Sequence, residues 1–239
     1  EFITTPRDVL PWVKRCVNIT QEWWDDMYNS TKTKLIQSIK AGDVWLNKVR
    51  YAGTERIRGN VCLEVYLPSR GTCLLEHINL GACSIEQIPG AFVEGMQELC
   101  QLHSETGVGQ TGEYLPAATD RQVGLGILGL ANLLRRYGVT YEQFGRALDQ
   151  YSGGDVETTA AFTLVEKLSH GIRDASLVAH EYGMQRAFAI APTASCSYRS
   201  QDADGYTCTP EIAPPISRTV DRDSGTFGVQ TYDYGEVEI

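Results

Sequence analysis

The stretch "GNVCLEVYLP" puts an amide, a thiol and a carboxylate on alternate positions, at Asn60, Cys62 and Glu64. In an extended chain successive side chains point to opposite faces, so a strand here presents all three on one wall. The carboxylate can take a proton, the thiol is a reactive sulfur, and the amide both donates and accepts hydrogen bonds without charge. Farther along, "APTASCS" offers the hydroxyls of Thr193, Ser195 and Ser197 with the backbone amides of Ala194 and Cys196. Where a helix begins, such a turn holds a phosphate without any lysine or arginine. Taken alone, the same residues also read as a plain helix cap.

A third pattern, "GLGILG" at Gly124 to Gly129, satisfies the spacing of a dinucleotide-binding fingerprint. That fingerprint needs a buried strand directly before its first glycine, and "PAATDRQV" does not supply one. The segment is predicted to be a helix whose glycines allow close packing. The four histidines show no ligand spacing. No two of the seven cysteines stand at the two-residue spacing of a zinc knuckle. Cys16, Cys83, Cys100 and Cys208 read as small apolar residues.

These residues must be held by elements that the sequence marks unevenly. Residues 1–59 read as mostly helical, with Thr20 capping "QEWWDDMYNSTKTKLIQSIKAG" and Gly42 as a stop. The strand "VCLEVYLP" follows, then a second extended run, "CLLEHINL". Helical periodicity covers Ile88 to His103, and "HSETGVGQTGEYLPAATD" is a long loop. Next come three helical segments, "RQVGLGILGLANLLRRYG", "YEQFGRALDQYSG" and "DVETTAAFTLVEKLSHGIRDASLVAHEYG", before the short run "RAFAI". Residues 216–239 read as an irregular tail. Strands separated by helices indicate an α/β fold, with too few strands for a closed barrel in the chain itself.

The 239 residues, 42% of them hydrophobic, suffice for one large domain or two small ones. A formal net charge of −9 argues against binding a nucleic-acid polymer or an anionic membrane. No apolar run of membrane-spanning length or signal-peptide pattern is present, so the sequence predicts a soluble, cytoplasmic protein.

"GNVCLEVYLP" followed by "TCLLEHINLGAC" resembles the catalytic region of the large subunit of ribonucleotide reductases. That family has an Asn-x-Cys-x-Glu loop inside an α/β barrel and a second cysteine shortly before an "NLG" segment. The matching positions are Asn60, Cys62, Glu64, Cys73 and Asn79 to Gly81. "RQVGLGILGLANLLRRYGV" is similar to the family's glycine-rich segment. "IAPTASCS" with "TPEIAPP" downstream resembles its substrate-phosphate loop and the Glu-Pro element after it. The matches run in order from Asn60 to Pro215, about two thirds of the chain, in a compact, phage-like spacing.

The resemblance implies that residues 60–215 belong to a ten-stranded α/β barrel of the radical-enzyme type. It implies a reduction of ribonucleotides to 2′-deoxyribonucleotides in which Cys62 acts as a thiyl, Glu64 as general base and Asn60 as the positioning amide. Cys73 is then one of two reducing thiols; its partner lies on a strand that nothing here matches. Thr193, Ala194, Ser195, Cys196 and Ser197 hold the substrate phosphates. No cofactor or metal is assigned to this chain. The radical comes from a metal-containing small subunit or from adenosylcobalamin, and the electrons from a thioredoxin- or glutaredoxin-type reductant. The substrate is a ribonucleoside diphosphate, ahead of a triphosphate, and the resemblance allows a homodimer. The alternative is a non-catalytic nucleotide-binding or scaffold fragment of a split or inactive reductase.

Overall fold

A computed structural model of the chain describes residues 2–107, 109–211 and 215–237. They form two compact units, Glu1–Arg70 and Gly71–Ile239. The dividing point leaves Asn60, Cys62 and Glu64 with the N-terminal unit.

In the first unit, β1 (Cys16–Val17) pairs in parallel with β2 (Trp45–Leu46), and two helices lie between them in sequence. Thr20 caps α1 (Gln21–Asp26) as its sequence predicts, its hydroxyl accepting from the Trp23 amide at 3.1 Å. The helix stops there: Met27 turns extended before α2 (Asn29–Lys40) starts. Trp24 and Met27 pack with Ile19 and Ile39 against the buried side chains of Val17, Leu35 and Val44. β3 (Arg50–Ala52), β4 (Glu55–Gly59) and β5 (Tyr66–Leu67) make an antiparallel sheet in that order. The expectation of a mostly helical 1–59 is therefore corrected: two helices share the segment with four short strands. Short strands fixed by pairing partners elsewhere in the chain leave little local signal.

The second unit is built on three parallel strands, β6 (Leu74–Asn79), β7 (Gln122–Leu128) and β8 (Arg186–Phe188), in the order β6-β7-β8. Between them in sequence run α3 (Ile88–Glu105), α4 (Leu130–Arg136), α5 (Tyr141–Gly153) and α6 (Ala160–Glu181). α3 packs on β6 and β7, α6 on α3, and α5 on α6. The core between them holds Ile78, Phe92, Met96, Val123, Leu125, Leu164 and Val165. After β8 come α7 (Ala194–Arg199) and an antiparallel hairpin, β9 (Thr219–Asp223) and β10 (Val229–Asp233). The hairpin corrects the expectation of an irregular tail.

"GLGILG" is also corrected, from packing helix to buried central strand. Residues of β7 alternate between the face covered by α3 and the opposite face, where Gly124 and Gly126 lie. A Cβ on Gly124 would press on Leu75 and on the Cβ of Ala189; one on Gly126 would run into the Ala189 carbonyl oxygen and the His77 ring. The glycines thus let the chain after β8 close down on β7. The dinucleotide fingerprint is not formed, because its first two glycines lie inside the strand and not in a turn after it.

The fold is mixed α/β. Among the described residues ten strands form four small separate sheets, and no ten-stranded barrel closes. Among the same residues no helix is long and apolar enough to cross a membrane.

Gly126→Ala should lower stability by about 3 kcal/mol, since a backbone carbonyl cannot yield as a side chain can. Gly145→Ala on α5, where nothing lies within 4 Å of an added Cβ, should gain about 0.5–1 kcal/mol from helix propensity. Urea denaturation of both variants checks the pair. Equal midpoints for Gly126→Ala and the parent chain would contradict the close approach.

Candidate functional site

Asn60, Cys62 and Glu64 do not lie on a strand. β4 and β5 pair through Gly59 and Tyr66, and residues 60–65 form the loop that joins them. The Asn60 carbonyl accepts from the Leu63 amide at 3.2 Å, and the Asn60 amide donates to the Val65 carbonyl at 3.0 Å. Asn60 Oδ1 accepts from the Val65 amide at 3.4 Å. An asparagine that binds its own backbone competes with strand pairing, which overrides the β propensity of Val61 and Leu63. The turn is tight enough to hold Leu63 at φ 66, in the left-handed region that a leucine rarely adopts. Lys14 Nζ donates to the Val61 carbonyl, bracing the loop from outside.

The chemistry of the three side chains follows from this turn. Cys62 is exposed at its tip. Asn60 uses its oxygen to hold the turn, and its NH₂ group makes no hydrogen bond among the described residues. Glu64 is half-buried, and its Oε2 is shielded from water without a hydrogen-bond partner. A carboxylate oxygen shielded from water and left unpaired is costly, and a catalytic or binding role is one reason such a group is kept.

In the second unit, Cys73 sits at the entry to β6, half-buried, with its sulfur beside Gly124. The residue before it is fixed on both sides: the Thr72 amide donates to Asp120 Oδ2 at 2.9 Å, and the Thr72 carbonyl accepts from Gln122 Nε2 at 2.8 Å. Gln122 also donates to Asp120 Oδ1 at 2.6 Å and accepts from Arg186 at 2.5 Å. Among the described residues no disulfide joins any of the seven cysteines. Cys16, expected in a helical setting, lies in a short strand and is exposed. Burial pushes the Cys83 and Cys100 thiols up, and that of Cys208 up to about 12.

"APTASCS" does meet the start of a helix, with Thr193 at φ 43 as the residue before α7. Its three hydroxyls are not equivalent. Ser197 is buried and donates to the Ala194 carbonyl at 2.8 Å, and Thr193 donates to the Ala191 carbonyl at 3.3 Å. Ser195 is exposed, as is Cys196. The first amides of a helix lack intrahelical partners, so those of Ala194, Ser195 and Cys196 remain as donors. Ser195, not the triplet of hydroxyls, is the side chain available to a ligand.

Of "TPEIAPP", residues 212–214 lie outside the described residues. Glu211 Oε1 accepts from the Leu130 amide at 2.7 Å, and the preceding Gly129 amide donates to the Thr209 carbonyl at 2.8 Å. The protein's own carboxylate and carbonyl thus fill the start of α4, where a dinucleotide phosphate would sit in a true fingerprint. Burial outweighs the hydrogen bonds from Leu130, Thr209 and Gly129 and raises the Glu211 carboxyl to about 7. Burial, then the Glu211 carboxyl, holds the Tyr141 phenol above its ordinary range.

Sequence reasoning missed two cations, Arg199 and Arg222. With Ser195 they line a cavity of about 450 Å³ between α7 and the β9–β10 hairpin. The four-residue step from Ser195 to Arg199 was readable once α7 extends to Arg199; Arg222 carries no sequence signal. Among the described residues no group of three His, Cys, Asp or Glu side chains is arranged to hold a metal ion. The chain matches no protein-family model and no curated protein significantly.

The folded state binds the Glu211 proton more tightly than the unfolded chain, whose carboxyl keeps the ordinary value of 4.5. This stabilisation is complete below about pH 4.5 and is lost as pH rises through about 7. Relative to Glu211→Gln, the parent chain should lose on the order of 3 kcal/mol across that window. Thermal melting in buffers from pH 4 to 8 measures it; parallel curves for the two proteins would remove the assignment.

Proposed function

We propose that the chain carries catalytic residues of a ribonucleotide reductase large subunit, and that residues 60–215 belong to a ten-stranded α/β barrel of that type. The observation that carries this reading is the loop of residues 60–65, where an exposed thiol stands two residues from a carboxylate oxygen without a partner. The order of the matching segments supports it, as does a parallel sheet with α3 packed on one face. Such a sheet is the building unit of α/β barrels.

In the proposed reaction Cys62, as a thiyl, takes the 3′-hydrogen atom of the ribose, forming S–H and leaving a carbon radical at C3′. An S–H bond is close in strength to that C–H bond, so the transfer is nearly balanced in both directions. Glu64 accepts the 3′-hydroxyl proton while the 2′-hydroxyl takes a proton from one of the two reducing thiols and leaves as water; Glu64 later gives its proton back to O3′. The Asn60 NH₂ group holds a sugar oxygen in line. Two thiols, Cys73 and a partner, supply two electrons and two protons and become a disulfide. Cys62 then returns its hydrogen atom to C3′. The balance is one C–OH and two thiols converted to one C–H, one water and one disulfide. The one-electron oxidation of Cys62 is supplied by a metal-containing small subunit or by adenosylcobalamin. A thioredoxin- or glutaredoxin-type protein restores the thiols.

The ribonucleotide enters with its phosphates at Ser195 and the first amides of α7. A non-catalytic nucleotide-binding or scaffold fragment of a split or inactive reductase is the competing reading; it keeps the phosphate loop and lacks turnover.

Serine at position 62 cannot carry a useful radical, because its O–H bond is much stronger than S–H. In the complete enzyme with its radical source, Cys62→Ser should abolish tritium release from 3′-labelled substrate. Cys73→Ser should still release tritium, then stall and liberate free base. Normal turnover by Cys73→Ser with the natural dithiol reductant, or tritium release by Cys62→Ser, would falsify the roles. Nucleotide binding without any tritium release from the parent enzyme favours the fragment.

A further inference from the structure

Ser195, Tyr198 and Arg199 stand at i, i+3 and i+4 on α7 and therefore share one face of it. That face looks across the cavity at Arg222, Asp223, Phe227 and Tyr232 of the hairpin. The rings of Tyr198 and Tyr232 stack at 4.5 Å and 14°, tying the two walls together, and the Arg222 guanidinium lies 5.1 Å from the Tyr198 ring. Neither the Arg199 nor the Arg222 side chain forms an ion pair or a hydrogen bond among the described residues, in a chain with 30 acidic and 21 basic side chains. Arg135, Arg146, Arg173 and Arg218 all find carboxylates. Among the described residues the carboxylate on the cavity wall is that of Asp223, which accepts from the Gly225 amide at 2.9 Å and serves its own turn.

We propose that this cavity binds the outer phosphoryl group of a nucleoside polyphosphate, with Arg199 and Arg222 as its ligands. The proposal rests on the reading of "APTASCS" as a phosphate loop and supplies what that loop lacks. Amides and one hydroxyl can orient an inner phosphoryl group but bring no formal charge. Two guanidiniums provide the charge and the planar donor geometry suited to phosphoryl oxygens. Ser195 lies on both and joins them into one polyanion track. α7 has only six residues, and the unpaired arginines across the cavity, not the helix end, carry the assignment.

Calorimetric titration of the intact chain with phosphate, pyrophosphate, tripolyphosphate and ADP tests this. Affinity should rise with the number of phosphoryl groups and fall with added salt. Arg199→Gln and Arg222→Gln should each weaken tripolyphosphate and ADP binding about tenfold, and flatten the dependence on phosphoryl number. Both side chains are exposed, so melting temperatures should not change. Ser195→Asp should remove binding by repulsion. If Ser195→Asp loses binding while both arginine variants match the parent, the arginine assignment is overturned and the phosphate loop stands. If the arginine variants lose binding and Ser195→Asp does not, the loop reading fails and the cavity stands. If the parent chain binds none of the four probes, both fall.

Discussion

The unit Gly71–Ile239 depends on one buried carboxylate. Asp202 has no exposed side-chain surface, yet all its hydrogen-bonding capacity is used. Oδ2 accepts from Asn132 and Arg135 at 2.9 Å each, and Oδ1 accepts from the amides of Asp204 and Tyr206 at 2.9 Å each. Asn132, also buried, donates to the Thr207 carbonyl and accepts from the Thr209 amide. The two side chains fasten residues 202–209 onto α4. A buried charge is tolerated only when paired this completely, and losing one partner typically costs about 3–5 kcal/mol. From this knot the rest follows outward: the Thr207 amide reaches the Asp233 carbonyl of the hairpin, Glu211 caps α4, and α7 is held just upstream.

The two candidate thiols are held in opposite ways, and their proposed tasks differ to match. Cys62 stands on a loop closed by a single asparagine, exposed and flanked by groups with spare hydrogen-bonding capacity. Cys73 follows a residue whose amide and carbonyl are both bound, within the polar cluster of Asp120, Gln122 and Arg186. A hydrogen-atom carrier must meet a substrate that comes and goes. A thiol that ends as a disulfide must instead be set accurately against its partner, since disulfide geometry tolerates little misplacement.

How far the sequence could be read depends on which force fixed each element. α3, α5 and α6 were legible because each buries one periodic stripe against a neighbour, and β6 because an apolar run starts just after a turn. β7 was misread. A buried parallel strand has no polar alternation, and "VGLGIL" repeats its apolar residues at a spacing that also fits a helix. The close approach of Ala189, far along the chain, together with Leu75 and His77 on the neighbouring strand, explains its glycines. The hairpin of residues 219–233 was invisible because both its faces are largely exposed, so no burial pattern marks its register. At the site, residue types were legible and geometry was not. Asn60, Cys62 and Glu64 were found by spacing, but their strand dissolved into a turn through Asn60 itself. Ser195 and Ser197 looked alike until burial separated them.

The knot around Asp202 also has a history in time. Asn132 and Asp202 are 70 residues apart, and Leu130 and Glu211 are 81 apart. The helical layer of α3, α5 and α6 can form from contacts closer in sequence, and loop closure across such spans comes late in folding. On a ribosome, α4 therefore emerges with its first amides bare and Asn132 unmatched. It must wait for more than seventy residues of synthesis before its cap arrives. Until then the nascent unit carries an unfinished helix end and an open sheet face, the kind of surface that chaperones retain. The same far-sequence ties that hold residues 202–211 against α4 make this segment the last part of the unit to become native.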